Sequence, residues 1–248
     1  MPFTPSHVIA VLPFRKISKN YVSMTGLIAG SVAPDFEFFL RVTLYGNISH
    51  TWLGALVFDF PVAILIAFVF HFIVKKTFIL HLPKPLFQRW GKYADLNWMD
   101  YLKKHKFVFL SSCIVGILTH FLWDNFTHEP GYISNFQFNF FLKKVLFFGR
   151  SIAIYDLLQL LSSILGLIVL VITIWKSPVD DLVPRKSLSQ RNKYFMISFL
   201  LTVGIIFVRY CIGIPDEKPL GQFIVISMSA FMQSLILLGI YHLNISNN

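Results

Sequence analysis

Seven ionisable side chains inside or beside apolar runs of this 248-residue chain stand out as candidates for chemistry. They are His7 in TPSHVIAVL, Asp35 and Glu37 in APDFEFFL, His50 in NISHTWLGAL, and His120, Asp124 and His128 in GILTHFLWDNFTHEPG. His120 and Asp124 are four residues apart, so a helix puts them on one face, and His128 continues that face by another turn. An imidazole nitrogen and a carboxylate oxygen at this spacing can both reach one divalent cation. The plainer alternative is that Asp124 ends an apolar segment and His128 sits in the loop after it. Ionisable groups are costly in lipid, about 2.5–3.5 kcal/mol for a central Asp on insertion scales, which makes them functional candidates by default.

The elements that must position these residues follow from composition. Hydrophobic residues make up 55%, aromatics 17% and charged residues 14%, with a mean hydropathy of +0.64. A soluble domain is about 45–50% apolar and about 25% charged, so a water-soluble globular enzyme and a disordered chain are both excluded. A bilayer span needs about 20 mostly apolar residues. Trp52–Val74, Ile152–Trp175, Phe195–Ile214 and Gln222–Leu243 qualify, and Phe107–Trp123 is shorter but almost free of charge. Trp52, Trp123 and Trp175 lie at segment ends, where indoles favour the interface. Pro5–Phe14 and Tyr21–Ala33 are apolar but too short to cross, and they predict a helical hairpin that dips partway into the membrane. The expected fold is all-α: a polytopic membrane helical bundle of about five full spans plus a short N-terminal helical hairpin. It is expected as one integral membrane domain over residues 1–248, with the metal-site half in 1–150 and C-terminal spans in 151–248. No internal repeat or low-complexity tract is present.

The net charge of +10 would suggest nucleic acid in a soluble protein. No basic run carries such a motif, so no nucleic acid partner is expected, and the excess fits cytoplasmic loops and anionic headgroups. Lys75–Lys106 is predicted as an interfacial loop with one amphipathic helix, and Lys176–Lys193, with Pro178 and Pro184, as a second basic linker. Placing both inside, with Arg15, Lys16 and Lys19 on the same side, puts sixteen of the 22 Lys and Arg there, which sets the orientation. His7, Asp35, His50, His120 and Asp124 then fall at the outer level, His7 by virtue of the hairpin. Cys113 and Cys211 both lie in apolar segments and predict buried thiols without a disulfide framework. The opening has no basic residue before its apolar stretch and no small-residue cleavage site after it, so no cleaved signal peptide is expected.

The segments MPFTPSHVIAVLP, GSVAPDFEFFLR, SHTWLG, GILTHFLWDNFTHEPG and DLLQLLSSILGL, in that order, resemble a bacterial multi-pass membrane family, domain of unknown function 4184. That family is similar to inner-membrane proteins described as metal-dependent hydrolases, with an N-terminal His, a PD motif, a His before a span and an HxxxD helix. It is more remotely similar to the helical, His- and Asp-rich sites of zinc-dependent phospholipase C. By motif, the resemblance implies His7, Asp35, His50, His120 and Asp124 as metal ligands and a bacterial cytoplasmic (inner) membrane location. Two departures stand out. The family often carries a His after the Gln of the LLQ segment, where this chain has Leu160. The acidic motif is PDFE here against the more frequent PDxD, so Glu37 either replaces the second acid or faces headgroups.

Three His and two Asp suit one divalent metal or a bridged pair, zinc foremost, with manganese or iron as alternatives. The matching reaction class is metal-dependent hydrolysis of a phosphoester or ester in a lipid-like or phosphorylated substrate at the membrane interface. Glu37 or His128 is expected as the catalytic general base or as an orienting group. Lys143, Lys144 and Arg150 either steer an anionic headgroup or are ordinary solvated charges. His71, His81, His105 and His242 carry no motif and suit contacts to helices, water or headgroups. No GxSxG, P-loop, HExxH or dinucleotide fingerprint is present. A transporter, or a structural or regulatory membrane protein with a structural metal, remains the alternative, since ionisable groups at span ends also mark ion pathways.

Overall fold

A computed structural model describes residues 3–129, 139–147, 149–180 and 185–246. Met1, Pro2, the Pro130–Gly131 end of the THEPG motif and Pro184 lie outside the described residues. The chain opens with a broken helical arm: a 3-10 turn over Thr4–His7, one α-turn over Val8–Val11 (α1) and a second 3-10 turn over Leu12–Lys16. Pro5 and Pro13 each stand in the first turn of a 3-10 segment, where the missing N–H removes no helical bond. The second arm is Met24–Val32 (α2), capped by the Ser23 hydroxyl, which accepts from the Gly26 N–H. Pro34 denies an α-turn its donor, and the chain tightens to 3-10 over Ala33–Asp35 before resuming as Phe36–Arg41 (α3). The expected hairpin is thus present, with α1 packed on α2.

Among the described residues, five helices are long and apolar enough to cross a membrane, so this is an integral, multi-pass membrane protein. They are Trp52–His81 (α4), Trp98–Thr127 (α6), Ile154–Trp175 (α8), Leu188–Ile212 (α9) and Pro219–Ser246 (α10), with Lys84–Trp90 (α5) between the first two. The helices run further into the basic connections than hydropathy predicts, because Lys and Arg are good helix formers. The capping box at Ser187 and Gln190, for example, starts α9 seven residues before its apolar run. Two π-turns, Ala55–Asp59 and Phe70–Val74, lie inside α4, and His105 breaks the helical dihedrals of α6.

Among the described residues, the one addition to the all-helical expectation is small. After Asn139–Leu142 (α7), Lys144–Phe147 (β1) pairs antiparallel with Arg150–Ala153 (β2), and Gly149, at φ 75°, makes the turn. The predicted span start at Ile152 is therefore strand, and the helix begins at Ile154.

The described chain divides into two compact units that interleave along the sequence. The first holds residues 1–36, 47–67 and 101–175, and the second 37–46, 68–100 and 176–248. In the first, α2 meets α6 through small residues. A Cβ on Gly26 would come 2.6 Å from the Phe109 carbonyl oxygen, and Gly30 and Gly116 leave no room for one against Cys113 and Leu27. Close backbone approach of this kind is how helices associate in lipid, where apolar burial drives little. The segment Thr4–His7 packs on α8, with Ser6 against Gly166. In the second unit, α9 packs along α10, joined by a 2.8 Å bond between the Ser198 and Ser234 hydroxyls. There Gln222 accepts from the Thr43 hydroxyl and the Leu44 N–H at 3.0 and 2.8 Å.

Polarity is inverted relative to a soluble protein. Leu165, Phe199 and Phe207 are exposed, while His7, Asp35, Asp59, His120 and Asp124 are fully buried. That is the arrangement lipid as solvent demands. Cys113 is buried as expected, but Cys211 lies on an exposed face of α9, because apolar composition in a span reports lipid as readily as protein interior.

Candidate metal centre

The first unit brings six of the seven sequence-predicted residues together: His7, Asp35, His50, His120, Asp124 and His128. Each comes from an element whose local sequence explains its placement. His7 closes the 3-10 turn that Pro5 starts. Asp35 ends the turn that Pro34 imposes. His50 precedes the Thr51 cap of α4 and holds a left-handed φ of 59°. Such a conformation is uncommon for a non-glycine residue and collects at functional sites. His120 and Asp124 share one face of α6, as their spacing requires.

Their donor atoms converge. His50 Nε2 lies 3.2 Å from His120 Nε2, 3.5 Å from Asp124 Oδ2 and 3.6 Å from Asp35 Oδ1. His120 Nε2 lies 3.2 Å from Asp124 Oδ2 and 3.8 Å from Asp35 Oδ1. Ligands held 2.0–2.1 Å from a tetrahedral zinc stand about 3.3 Å apart, so these separations match the edges of such a tetrahedron. His7 adds a fifth donor: its Nε2 is 3.4 Å from Asp124 Oδ1, and its ring stacks on His120 with centroids 3.8 Å apart. Two overlapping triads, His7–Asp35–His120 and His50–His120–Asp124, each keep their donors within 4.8 Å.

The hydrogen-bond inventory fits a cation as well. Both nitrogens of His7, Oδ1 of Asp35 and both carboxylate oxygens of Asp124 are buried without a hydrogen-bond partner among the described residues. Buried polar atoms left this way are expensive unless a ligand satisfies them. The outward atoms are already engaged. His120 Nδ1 donates to the Ser31 carbonyl at 2.7 Å, which leaves Nε2 as the lone-pair donor. His50 Nδ1 is 2.9 Å from the Ser49 hydroxyl, and the Thr4 hydroxyl donates to Asp35 Oδ2 at 2.5 Å. Orienting contacts of this sort are typical around metal ligands. Burial alone would lower the His50 imidazole, but the Asp124 and Asp35 carboxylates raise it to about 9. The two acids thus hold positive charge between them even as a proton.

His128 stands at the edge of the cluster. Its Nδ1 is 3.4 Å from Asp124 Oδ1 and 3.3 Å from the Thr127 hydroxyl, while its Nε2 is 3.2 Å from the Gln159 amide nitrogen. Burial pushes it down to about 4. An amide donor on Nε2 leaves the proton on Nδ1, facing Asp124, which suits a positioning role. Glu37 is not brought into this set. It belongs to the second unit, where its carboxylate takes Arg41 Nε at 3.0 Å and Nη2 at 2.9 Å.

Sequence reading overlooked Thr4, Ser31, Ser49, Gln159 and Asp59. Asp59 is fully buried in the first π-turn of α4, a segment that packs on the Ala33–Asp35 turn. Its signal was available, since it is the one acid in the apolar run Trp52–Val74. Gln159 belongs to the quoted LLQ segment, yet nothing local marks it as the partner of a histidine 31 residues earlier. Leu160, where the family often has His, is 47% exposed, so that position faces away from the unit's interior.

A multi-pass helical membrane protein with a buried histidine–aspartate cluster is the class these features define. The chain belongs to the family described as Domain of unknown function (DUF4184), whose model matches residues 1–241. No curated protein and no solved structure matches it significantly.

Proposed function

We propose that the first unit binds a divalent cation, zinc foremost, through His7, Asp35, His50, His120 and Asp124, and hydrolyses a phosphoester or ester of a lipid-like substrate at the surface of a bacterial cytoplasmic membrane. The observation that carries this reading is the convergence of His50, His120, Asp35 and Asp124 donors at 3.2–3.8 Å. A bound dication supplies a water acidified towards a pKa of about 7 and polarises an ester or phosphoryl oxygen. The chain's own residues do the rest. Thr4, Ser31 and Ser49 aim the ligands, and His128, held by Gln159, steadies Asp124. Both ring nitrogens of His7 make no hydrogen bond among the described residues, which suits a ligand or a group that moves a proton.

A structural ion is the second reading, favoured by the cluster's depth, with its five donors 0–5% exposed. Metal analysis of detergent-purified wild type, Asp35→Ala and His120→Ala tests the site. About one equivalent or more is expected in the wild type, with strong loss in both variants; equal content in all three removes the site. Hydrolysis of phosphoester and carboxyl-ester lipids by the loaded protein, lost in His120→Ala, separates an enzyme from a structural ion. Metal-independent flux in liposomes would favour a transporter instead.

A further inference from the structure

The second unit contains a cavity of about 550 Å³ that the metal cluster does not use. It lies where the C-terminal end of α4, the start of α9 and the end of α10 meet, and it is two-faced. Its polar lining includes His81, Lys186, Gln190, Lys193, Tyr194 and His242. Its apolar wall includes Ile197, Leu201 and Leu237. No acid occurs among the described residues that line it. Volumes of this size are typical of ligand sites.

Tyr194 gives the cavity its direction. The residue is 3% exposed, with its ring stacked on His81 at 4.3 Å, and its hydroxyl is buried with no hydrogen-bond partner among the described residues. A buried phenol normally finds an acceptor. The neighbouring imidazoles do not supply one. His81 and His242 each donate from Nδ1 to a carbonyl one turn back, those of Thr77 and Leu238, at 2.7 and 2.8 Å. Their rings are fixed by those bonds, and neither makes a hydrogen bond to Tyr194. The phenol therefore has a hydrogen bond still to make, and Lys186 and Lys193 at the same cavity favour an anionic acceptor for it.

We propose that this cavity binds an anionic phospholipid, with its phosphate among Lys186, Lys193 and Tyr194 and an acyl chain along Ile197, Leu201 and Leu237. Basic pockets at the cytoplasmic ends of membrane helices take such headgroups. The connection Lys176–Lys193 gives this one Lys186 and Lys193, and Lys75–Lys106 gives it His81. The apolar wall distinguishes a lipid from a free anion, which would gain nothing from it. The inference stands apart from the metal-site reading, since it shares no residue with that cluster.

Native mass spectrometry of the full-length protein tests it, with titration by dioleoylphosphatidylglycerol, dioleoylphosphatidylcholine or inorganic phosphate. The glycerol lipid is expected to bind about tenfold or more tightly than the choline lipid. Lys186→Gln/Lys193→Gln is expected to reduce it to the choline level, and Tyr194→Phe to weaken it a few-fold with an unchanged gel-filtration profile. The two lysines are exposed, so the double variant keeps its fold, and its unchanged phosphatidylcholine binding confirms that. Equal affinity for the two lipids, or full retention in the double variant, overturns the proposal. Competition by millimolar inorganic phosphate with no lipid preference overturns it too, and assigns the cavity to a free anion.

Discussion

The Nε2 atoms of His50 and His120 lie 3.2 Å apart although 70 residues separate them in the chain. Two neutral imidazole lone pairs at that distance repel unless a proton or a cation stands between them. His120 has already spent its Nδ1 hydrogen on the Ser31 carbonyl. The pair therefore needs a proton or a cation between its two nitrogens, and the two flanking carboxylates favour a positive charge there.

Metal uptake is expected to release protons. Burial by itself lowers His50, but Asp124 and Asp35 raise it to about 9, so the metal-free protein carries that proton at pH 7. Apparent metal affinity then climbs about tenfold per pH unit as pH rises towards 9. Calorimetry in two buffers of different ionisation enthalpy measures the release directly; none at pH 7 would count against the assignment. Stability of the metal-free protein runs the other way. The folded value, about 9, exceeds the ordinary 6.5, so the His50 contribution is complete below pH 6.5 and is lost between 6.5 and 9. The melting temperature of the metal-free form should fall across that window.

Thr4→Val removes the hydroxyl that donates to Asp35 Oδ2, and Gln159→Leu removes the amide that holds His128. Each should cost about 10–100-fold in metal affinity while leaving stoichiometry at saturation intact. Competition with a chromophoric chelator reads the difference. Unchanged affinity in both variants would deny these residues an orienting role.

Gly30→Ala forces a Cβ against the Cys113 carbonyl, where helices α2 and α6 touch. A destabilisation of about 1–3 kcal/mol is expected, together with weaker metal binding, because Asp35 and His120 sit on the two parts that move apart. Gly204→Ala is the control. Nothing lies within 4 Å of its Cβ, and this helix-interior substitution should be neutral or stabilising. Equal thermal melts for the two variants would refute the packing argument.

Glu37 is 2% exposed and paired with Arg41. Arg41→Ala should destabilise the protein more than Arg41→Ala/Glu37→Gln does, because the single change takes a paired cation away from a buried carboxylate. Both variants should keep the full metal content of the wild type. Metal lost in Glu37→Gln alone would place that acid among the ligands after all.

Amino-acid sequence by itself was enough for the helical class, the five spans and the HxxxD face of α6. Bilayer thickness converts span length into a local count of apolar residues, and helical periodicity converts a four-residue spacing into a shared face. It was also enough to list His7, Asp35, His50, His120 and Asp124, because ionisable groups in apolar runs are conspicuous. Tertiary structure alone decided that five donors close to within a few ångströms, that Ser31 and Thr4 orient two of them, that Gln159 holds His128 beside Asp124, and that Glu37 turns to Arg41 instead. Those outcomes depend on backbone approach at Gly26, Gly30 and Gly116 and on contacts spanning 31 to 89 residues. Such contacts are set by how helices pack, and no local window of residues encodes that.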